Sequence, residues 1–146
     1  MKKDESTYNY ERVYTPTCIN EMLLGGQKRG FYTVYNHPTG SLERYPVYSK
    51  YENMHAMEIV NYSCQVEGHD EYNSMAYNDM LMAGKRIYCT ATDDAHGEWG
   101  AYGGFTMIKA EKLEYDAVMQ AMLKGHFYAS EGPAIEEFYY EDGEFV

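Results

Sequence analysis

Three side chains that follow predicted strands have the types needed for a metal site. His37 follows one predicted strand, while Asp94 and His96 follow another. Imidazole nitrogens combined with a carboxylate oxygen suit Zn, Mn or Fe. Two histidines and one carboxylate with open coordination positions can activate water or polarise a phosphoryl oxygen. The residue types and their placement therefore predict a site for a divalent metal.

The Asp-x-His spacing carries little weight by itself, because Glu67-Gly68-His69 has nearly the same spacing in a predicted loop. A structural role is the alternative: His37 would cap a turn before Pro38, and Asp93 and Asp94 would cap the next loop. Placement at strand ends favours the metal site, because ligands of α/β folds gather at the carboxyl ends of the strands.

Hydrophobic patterning predicts the elements that position these side chains. The predicted helices begin at Thr15-Pro16, near Glu71 and near Leu113, and the predicted strands are 31–35, 56–61, 86–92 and 127–130, followed by a hairpin over 134–146 with its turn at Asp142-Gly143. Strands that alternate with helices indicate parallel βαβ units in an α/β fold. Three or four such units are too few for a closed eight-stranded barrel. The chain is therefore predicted to be a small open sheet or part of a larger barrel.

The predicted strand 56–61 supplies further candidates. Asn61 ends this strand and is placed to line the site, whereas Glu58 lies deeper and is a candidate for supporting the ligands. Residues three positions apart in a regular strand point to opposite faces, so the two are expected to face opposite sides. Asp93 is a third candidate for lining the site. His55 and His126 precede strands and are predicted to be structural, and no residue is assigned as general acid or base.

Length and charge limit the classes of function. The 146 residues fit one domain, with a polar arm over 1–14 and a folded region over 15–146. A net charge of −11 disfavours nucleic acid and anionic membranes as partners. An acidic protein can still bind a phosphorylated small molecule where a metal reverses the local charge. Three widely spaced cysteines without a signal peptide predict free thiols and a cytoplasmic location.

Several blocks of the chain resemble the PHP (polymerase and histidinol phosphatase) superfamily. Their order and spacing cover nearly the whole chain from about Thr15 onward. The blocks are Gly30-Phe31 through Asn36-His37-Pro38, Met57-Glu58-Ile59-Val60-Asn61, Ala83-Gly84-Lys85-Arg86-Ile87, Thr92-Asp93-Asp94-Ala95-His96, Gly104-Phe105-Thr106-Met107-Ile108-Lys109-Ala110, and Gly125-His126-Phe127-Tyr128-Ala129-Ser130-Glu131-Gly132-Pro133.

The resemblance implies a metal-dependent phosphoesterase on a distorted barrel of about seven βα units. His37 matches the histidine of the family's His-Pro motif, and Asp94 and His96 match its final Asp-x-His motif. All three residues would be metal ligands. The substrate class that the resemblance implies is phosphate esters.

The family's opening His-x-His motif has no counterpart in this chain, and only 36 residues precede His37. The chain therefore resembles the carboxyl-terminal half of a PHP protein, with parallel βα units forming that half of a distorted (β/α)7 barrel. We expect hydrolysis of phosphate esters if the site is complete. The alternative is a non-catalytic half-barrel that acts through self-association or through a partner that supplies the amino-terminal half. A third possibility is an acidic interaction domain, although the acidic tail 131–146 is more simply a solvated face.

Overall fold

The computed structural model describes residues 14–146, so all of the predicted arm except Tyr14 lies outside the described residues. The elements in chain order are α1 (Pro16–Gln27), β1 (Val34–Tyr35), α2 (Tyr45–Tyr48), β2 (Ala56–Asn61), α3 (Tyr62–Val66), α4 (Ser74–Met82), β3 (Tyr88–Thr92), a 3₁₀ helix (Glu98–Gly100), β4 (Phe105–Ile108), α5 (Tyr115–Lys124), β5 (Phe127–Ser130), β6 (Tyr140–Glu141) and β7 (Glu144–Phe145). Within 14–146 no helix has the length and apolar character needed to cross a membrane.

Local signals explain where several of these elements begin and end. The Thr15 hydroxyl accepts a hydrogen bond from the N–H of Cys18 (3.3 Å), and Pro16 is the first helical residue of α1, as predicted. Gly125 ends α5 in the left-handed conformation, with φ of 73°. The tail turns at Asp142-Gly143, with φ of 50° and 92°, and β6 and β7 pair antiparallel on either side. The predicted hairpin turn is confirmed.

Strands β1, β2 and β3 form one parallel sheet with β2 in the middle. Five of the six residues of β2 are buried, all except Ile59, as expected for a strand covered on both faces. The mixed α/β class predicted from the alternating elements is confirmed. Because the three strands are parallel, their carboxyl ends lie at the same edge of the sheet, which we call the carboxyl edge.

A β-bulge interrupts the pairing of β2 with β3. Glu58 is opposite Thr90, but Val60 is opposite Ala91, so Ile59 is an extra residue on β2. The extra residue reverses the alternation of side chains beyond it. Asn61 Nδ2 consequently lies 3.3 Å from Glu58 Oε2, on the same side of the strand. The prediction that these two side chains face opposite sides is wrong, because it assumed a regular strand.

The last two strands of the folded region depart from the predicted parallel pattern. β4 was not predicted, and it pairs antiparallel with β5 in a separate two-stranded sheet. The Thr106 hydroxyl joins this sheet to β3, because it donates to the carbonyl of Ala91 (2.9 Å) and accepts from the backbone N–H of Ala91 (3.1 Å). A side chain therefore replaces backbone pairing between the two sheets. Within residues 14–146, the predicted parallel arrangement is found for β1 to β3 only.

Tyrosine and methionine side chains build the core behind the parallel sheet. The buried cluster contains Tyr48, Tyr51, Met54, Met57, Met80 and Ile87. Tyr51 donates its hydroxyl to the carboxylate of Glu43, and Tyr48 donates to Asp79 (2.5 Å). Burial, followed by the hydrogen bond to Asp79, raises the pKa of Tyr48 to about 12. Such tyrosines supply apolar area while their hydroxyls remain paired.

Candidate functional site

The three predicted ligands meet at the carboxyl edge. Nε2 of His37 lies 3.7 Å from Oδ2 of Asp94, and Nε2 of His96 lies 3.7 Å from Oδ1 of the same carboxylate. His37 comes from the turn after β1, whereas Asp94 and His96 come from the loop after β3. The side chains are 45%, 36% and 76% exposed, respectively, so the group is open to solvent. Two loops that are distant in sequence thus bring two imidazoles to one carboxylate.

Two of these residues have an uncommon backbone conformation. His37 has φ of 35° and Asp94 has φ of 48°, both in the left-handed region. Residues other than glycine adopt this region rarely and retain it only where the surroundings hold them there. His37 also precedes Pro38, which disfavours the right-handed helical region for the preceding residue. Such conformations occur at functional sites and also in turns, as at Asp142 in the tail hairpin, so the role of both residues as metal ligands stays a prediction.

Asn61 connects this exposed group to the sheet below it. The side chain of Asn61 is fully buried, and its Nδ2 donates to Oδ2 of Asp94 (3.0 Å) and to Oε2 of Glu58 (3.3 Å). Its Oδ1 accepts from the N–H of Cys64 in the first turn of α3 (3.0 Å). All the hydrogen-bonding groups of the amide are therefore used. Asn61 thus reaches Asp94 from underneath, and its role in lining a site stays a prediction.

Glu58 is buried beneath the same edge, with 2% of its surface exposed. Its Oε2 accepts from the backbone N–H of His37 (2.8 Å), and its Oε1 accepts from the hydroxyl of Thr92 (2.6 Å). The carboxylate thus touches the segments that follow β1 and end β3. This arrangement places Glu58 behind His37 and Asp94, and its role in supporting metal ligands stays a prediction.

A second buried carboxylate, Glu71, belongs to the same region and was not identified from the sequence. Glu71 has no exposed surface, and its carboxylate accepts from the backbone N–H of Gly40 and from Nδ2 of Asn73 (2.7 Å). Oδ1 of Asn73 in turn accepts from the N–H (3.2 Å) and the hydroxyl (2.7 Å) of Thr39. Glu71 and Asn73 therefore hold the turn 37–41.

The helix predicted to begin near Glu71 begins only at Ser74. The preceding residues pair with the end of β2 instead: Tyr72 forms an antiparallel bridge with Val60, and the N–H of Asn73 donates to the carbonyl of Ile59 (2.7 Å). The alternation of polar, aromatic and polar side chains at Glu71, Tyr72 and Asn73 was the sequence signal that could have predicted pairing with a strand here. In this arrangement the side chains of Glu71 and Asn73 both point towards the turn 37–41.

Asp93 has a different role from its neighbour Asp94. Its Oδ1 accepts from the N–H groups of Gly103 (2.9 Å) and Gly104 (2.8 Å), and its Oδ2 accepts from the N–H of Tyr102 (2.7 Å). Burial by itself raises the pKa of this carboxyl, but the three backbone donors outweigh it, and the pKa is lowered from its usual value. The structure thus places Asp93 on the backbone of its own loop, as the structural alternative for this residue anticipated.

Glycines let the loop after β3 pack closely on its neighbours. A Cβ atom on Gly104 would lie 2.6 Å from the carbonyl oxygen of Thr92, and one on Gly103 would overlap the ring of Tyr62. A Cβ on Gly100 would overlap the hydroxyl of Ser63. These three glycines are therefore explained by close approach of the loop to β3 and α3.

The chemistry of the three donors suits a transition metal, but their arrangement is incomplete. Across residues 14–146, no three or more His, Cys, Asp or Glu side chains are grouped so as to hold a metal ion. Instead, each of the two imidazoles approaches Asp94 separately. A bound ion would require small movements of these exposed side chains and additional ligands. Comparison with known proteins finds no match among family profiles, curated proteins or solved structures.

Proposed function

We propose that this chain is a metal-dependent hydrolase of phosphate esters of the PHP type. In this proposal, a divalent Zn, Mn or Fe ion is held in part by His37, Asp94 and His96. The parallel strands form the carboxyl-terminal half of a distorted (β/α)7 barrel. The observation that carries the proposal is that the two imidazoles lie 3.7 Å from the carboxylate of Asp94 at the carboxyl edge.

The position of the group within the fold supports this proposal. Ligands of α/β proteins bind beyond the carboxyl ends of parallel strands, where loops from neighbouring strands converge. The turn after β1 and the loop after β3 converge there over the end of β2. The same three residues are those that match the histidine-proline and Asp-x-His motifs of the family. Geometry and resemblance thus point independently to one set of residues.

The chemistry of a bound ion explains how an acidic chain would accept an anionic substrate. A divalent metal polarises a phosphoryl oxygen and lowers the pKa of a bound water molecule. Its charge would also offset, locally, the net charge of −11 that repels phosphate. The exposure of His37, Asp94 and His96 leaves room for substrate and for further ligands.

The first experiment measures metal content and turnover on the same preparation. The chain is purified without chelators or a histidine tag, analysed by mass spectrometry for Zn, Mn and Fe, and assayed on an aryl phosphate. Asp94→Asn should lose the metal and at least tenfold in turnover. His126→Gln is the matched control, since His126 adjoins Gly125, which packs on Tyr88 at the opposite end of β3. Equal metal content and turnover in wild type and Asp94→Asn would refute the proposal.

Self-association, or a partner that completes the barrel, is the second candidate function. It is favoured by the incomplete ligand group and by the open edge of the sheet: in the part of the chain that the structure describes, β1 pairs only with β2. Phe31, just before β1, is 64% exposed. Unpaired strand edges beside apolar side chains promote association.

Sedimentation velocity at micromolar concentration tests this second candidate. We expect a dimer or larger species, and Phe31→Lys should shift the distribution towards monomer because it places a charge beside the open edge. Leu113→Lys is a suitable control, because Leu113 is 98% exposed and precedes α5, which packs against β4 on the β3 side of the sheet. A monomer in every sample would argue against self-association.

A further inference from the structure

The candidate ligands His37, Asp94 and His96 are exposed, and the contacts that fix the loops carrying them are made by buried residues beneath. Only one buried carboxylate, Glu58, contacts the segments of both ligand-bearing loops in the described part of the chain. Its Oε2 accepts from the backbone N–H of His37 (2.8 Å), and its Oε1 accepts from the hydroxyl of Thr92 (2.6 Å), two residues before Asp94. The same Oε2 also accepts from Nδ2 of Asn61 (3.3 Å).

Asn61 extends this network to Asp94 itself. Its second amide hydrogen is donated to Oδ2 of Asp94 (3.0 Å), so two hydrogen bonds connect Glu58 to the carboxylate that both histidines approach. The network therefore spans β1, β2 and β3 at the carboxyl edge. It depends on the bulge at Ile59, without which Asn61 and Glu58 would face opposite sides of β2.

The hydrogen bond to His37 acts on a strained residue. His37 has φ of 35°, a conformation that a histidine retains only where its surroundings hold it. The carboxylate of Glu58 fixes the N–H of this residue, and thereby the direction in which its imidazole leaves the backbone. Burying an ionised carboxylate is unfavourable unless hydrogen bonds offset the lost hydration. Three donors meet that requirement for Glu58.

We propose that Glu58 is the positioning residue of this site: it sets the separation of His37 and Asp94 by accepting hydrogen bonds from both sides. This inference rests on the proposed function, because the site it positions is the proposed metal site. Hydrogen bonding, rather than negative charge, performs the role. Glutamine in place of Glu58 can still accept from His37 and Asn61, and can donate to Thr92 once that hydroxyl rotates.

Titration with Co²⁺, followed by calorimetry and by visible absorption, tests the role of Glu58. Glu58→Met keeps the volume but removes all three hydrogen bonds, and we expect metal affinity to fall between 10- and 100-fold, with an altered Co²⁺ spectrum. Glu58→Gln should retain the wild-type spectrum and lose less than about tenfold in affinity. Rescue by glutamine separates a positioning role from a purely structural one.

Asp79→Asn is the matched control, because Asp79 is a carboxylate that accepts from Tyr48 in the core and lies on α4, outside both ligand-bearing loops. It should lower stability without changing the Co²⁺ affinity or spectrum. If Glu58→Met does not fold, Asn61→Leu removes the connection between Glu58 and Asp94, together with the hydrogen bond from Cys64, but leaves the bonds from His37 and Thr92 to Glu58 in place. It should still lower the affinity about tenfold.

The outcomes distinguish this inference from the proposed function. A wild-type protein that binds no Co²⁺ overturns the proposed function and this inference with it. If the wild type binds Co²⁺ and both Glu58→Met and Asn61→Leu bind it equally well, only the positioning role is overturned. Loss of affinity in Glu58→Gln as large as that in Glu58→Met would also overturn it, because charge would then be responsible.

Discussion

The two loops that carry the candidate ligands are held in opposite ways. The turn 37–41 is held from outside, by the carboxylates of Glu58 and Glu71, which accept from the backbone N–H groups of His37 and Gly40. The loop 93–104 is held from inside, because Asp93 accepts from three backbone N–H groups within it. The turn 37–41 therefore takes its carboxylates from residues more than 20 positions away, whereas the loop 93–104 supplies a carboxylate of its own.

This difference separates the effects of substitutions. A change within 93–104 should disturb the position of Asp94 and His96 while leaving the His37 turn in place. A change at Glu58 or Glu71 should disturb the His37 turn and leave the loop 93–104 largely in place. Glu58 is a partial exception, because it also reaches Asp94 through Asn61. Amide hydrogen exchange at Gly40 and Gly103 reports on the two loops separately, because the N–H of Gly40 is donated to Glu71 and that of Gly103 to Asp93.

Gly104→Ala is expected to have the largest effect on this comparison. The new Cβ would lie 2.6 Å from the carbonyl oxygen and 3.1 Å from the carbonyl carbon of Thr92, and backbone atoms cannot move aside as a flexible side chain can. Overpacking of this kind costs about 2–3 kcal/mol of the free energy of unfolding. Urea denaturation measures the loss, and exchange at Gly103 should accelerate more than exchange at Gly40.

Gly25→Ala is the control for this substitution. Gly25 lies inside α1, where the nearest atom to a new Cβ is the flexible end of Arg29 at 3.3 Å. Alanine is favoured over glycine in a helix by about 1 kcal/mol, so this variant should be at least as stable as wild type. Equal stability of Gly104→Ala and wild type would show that the loop does not need its close contact with β3.

Much of the fold follows from local sequence signals. The cap at Thr15-Pro16, the turn at Asp142-Gly143 and the alternation that indicates parallel units each depend on neighbouring residues, and the structure agrees with them. β4 was missed because the preceding glycines indicate a loop, while its partner β5 lies beyond a helix. Pairing across such a distance leaves no local pattern in the sequence.

The candidate site was predictable only where strand ends point to it. His37, Asp94 and His96 follow strands, and parallel pairing brings them together without further information. The contact between Glu58 and Asn61 requires the bulge at Ile59, and no residue type in this strand predicts a bulge. Glu71 was interpreted as a helix start because local patterning favours a helix there, but backbone pairing of Tyr72 and Asn73 with β2 delays the start of the helix to Ser74.

Asp93→Asn is expected to have a smaller effect, and one that depends on pH. Its amide retains one acceptor oxygen, so at least one of the three backbone donors loses its partner, at about 1–2 kcal/mol at neutral pH. Because folding lowers the pKa of Asp93, the wild-type carboxylate contributes stability above about pH 4, and that contribution is lost as the pH falls through the lower, folded-state value.

The difference in free energy of unfolding between wild type and Asp93→Asn should therefore be constant from pH 7 to about pH 5 and shrink below about pH 4. Urea denaturation at several pH values measures it. Asp70→Asn is the control, since the carboxylate of this exposed residue accepts no hydrogen bond from residues 14–146, and its difference should be near zero throughout. If the difference in free energy of unfolding between wild type and Asp93→Asn grew as the pH falls, Asp93 would not be held as an anion. The conformation of the loop 93–104 would then depend on its glycine contacts, and a carboxylate of its own would no longer distinguish this loop from the turn 37–41.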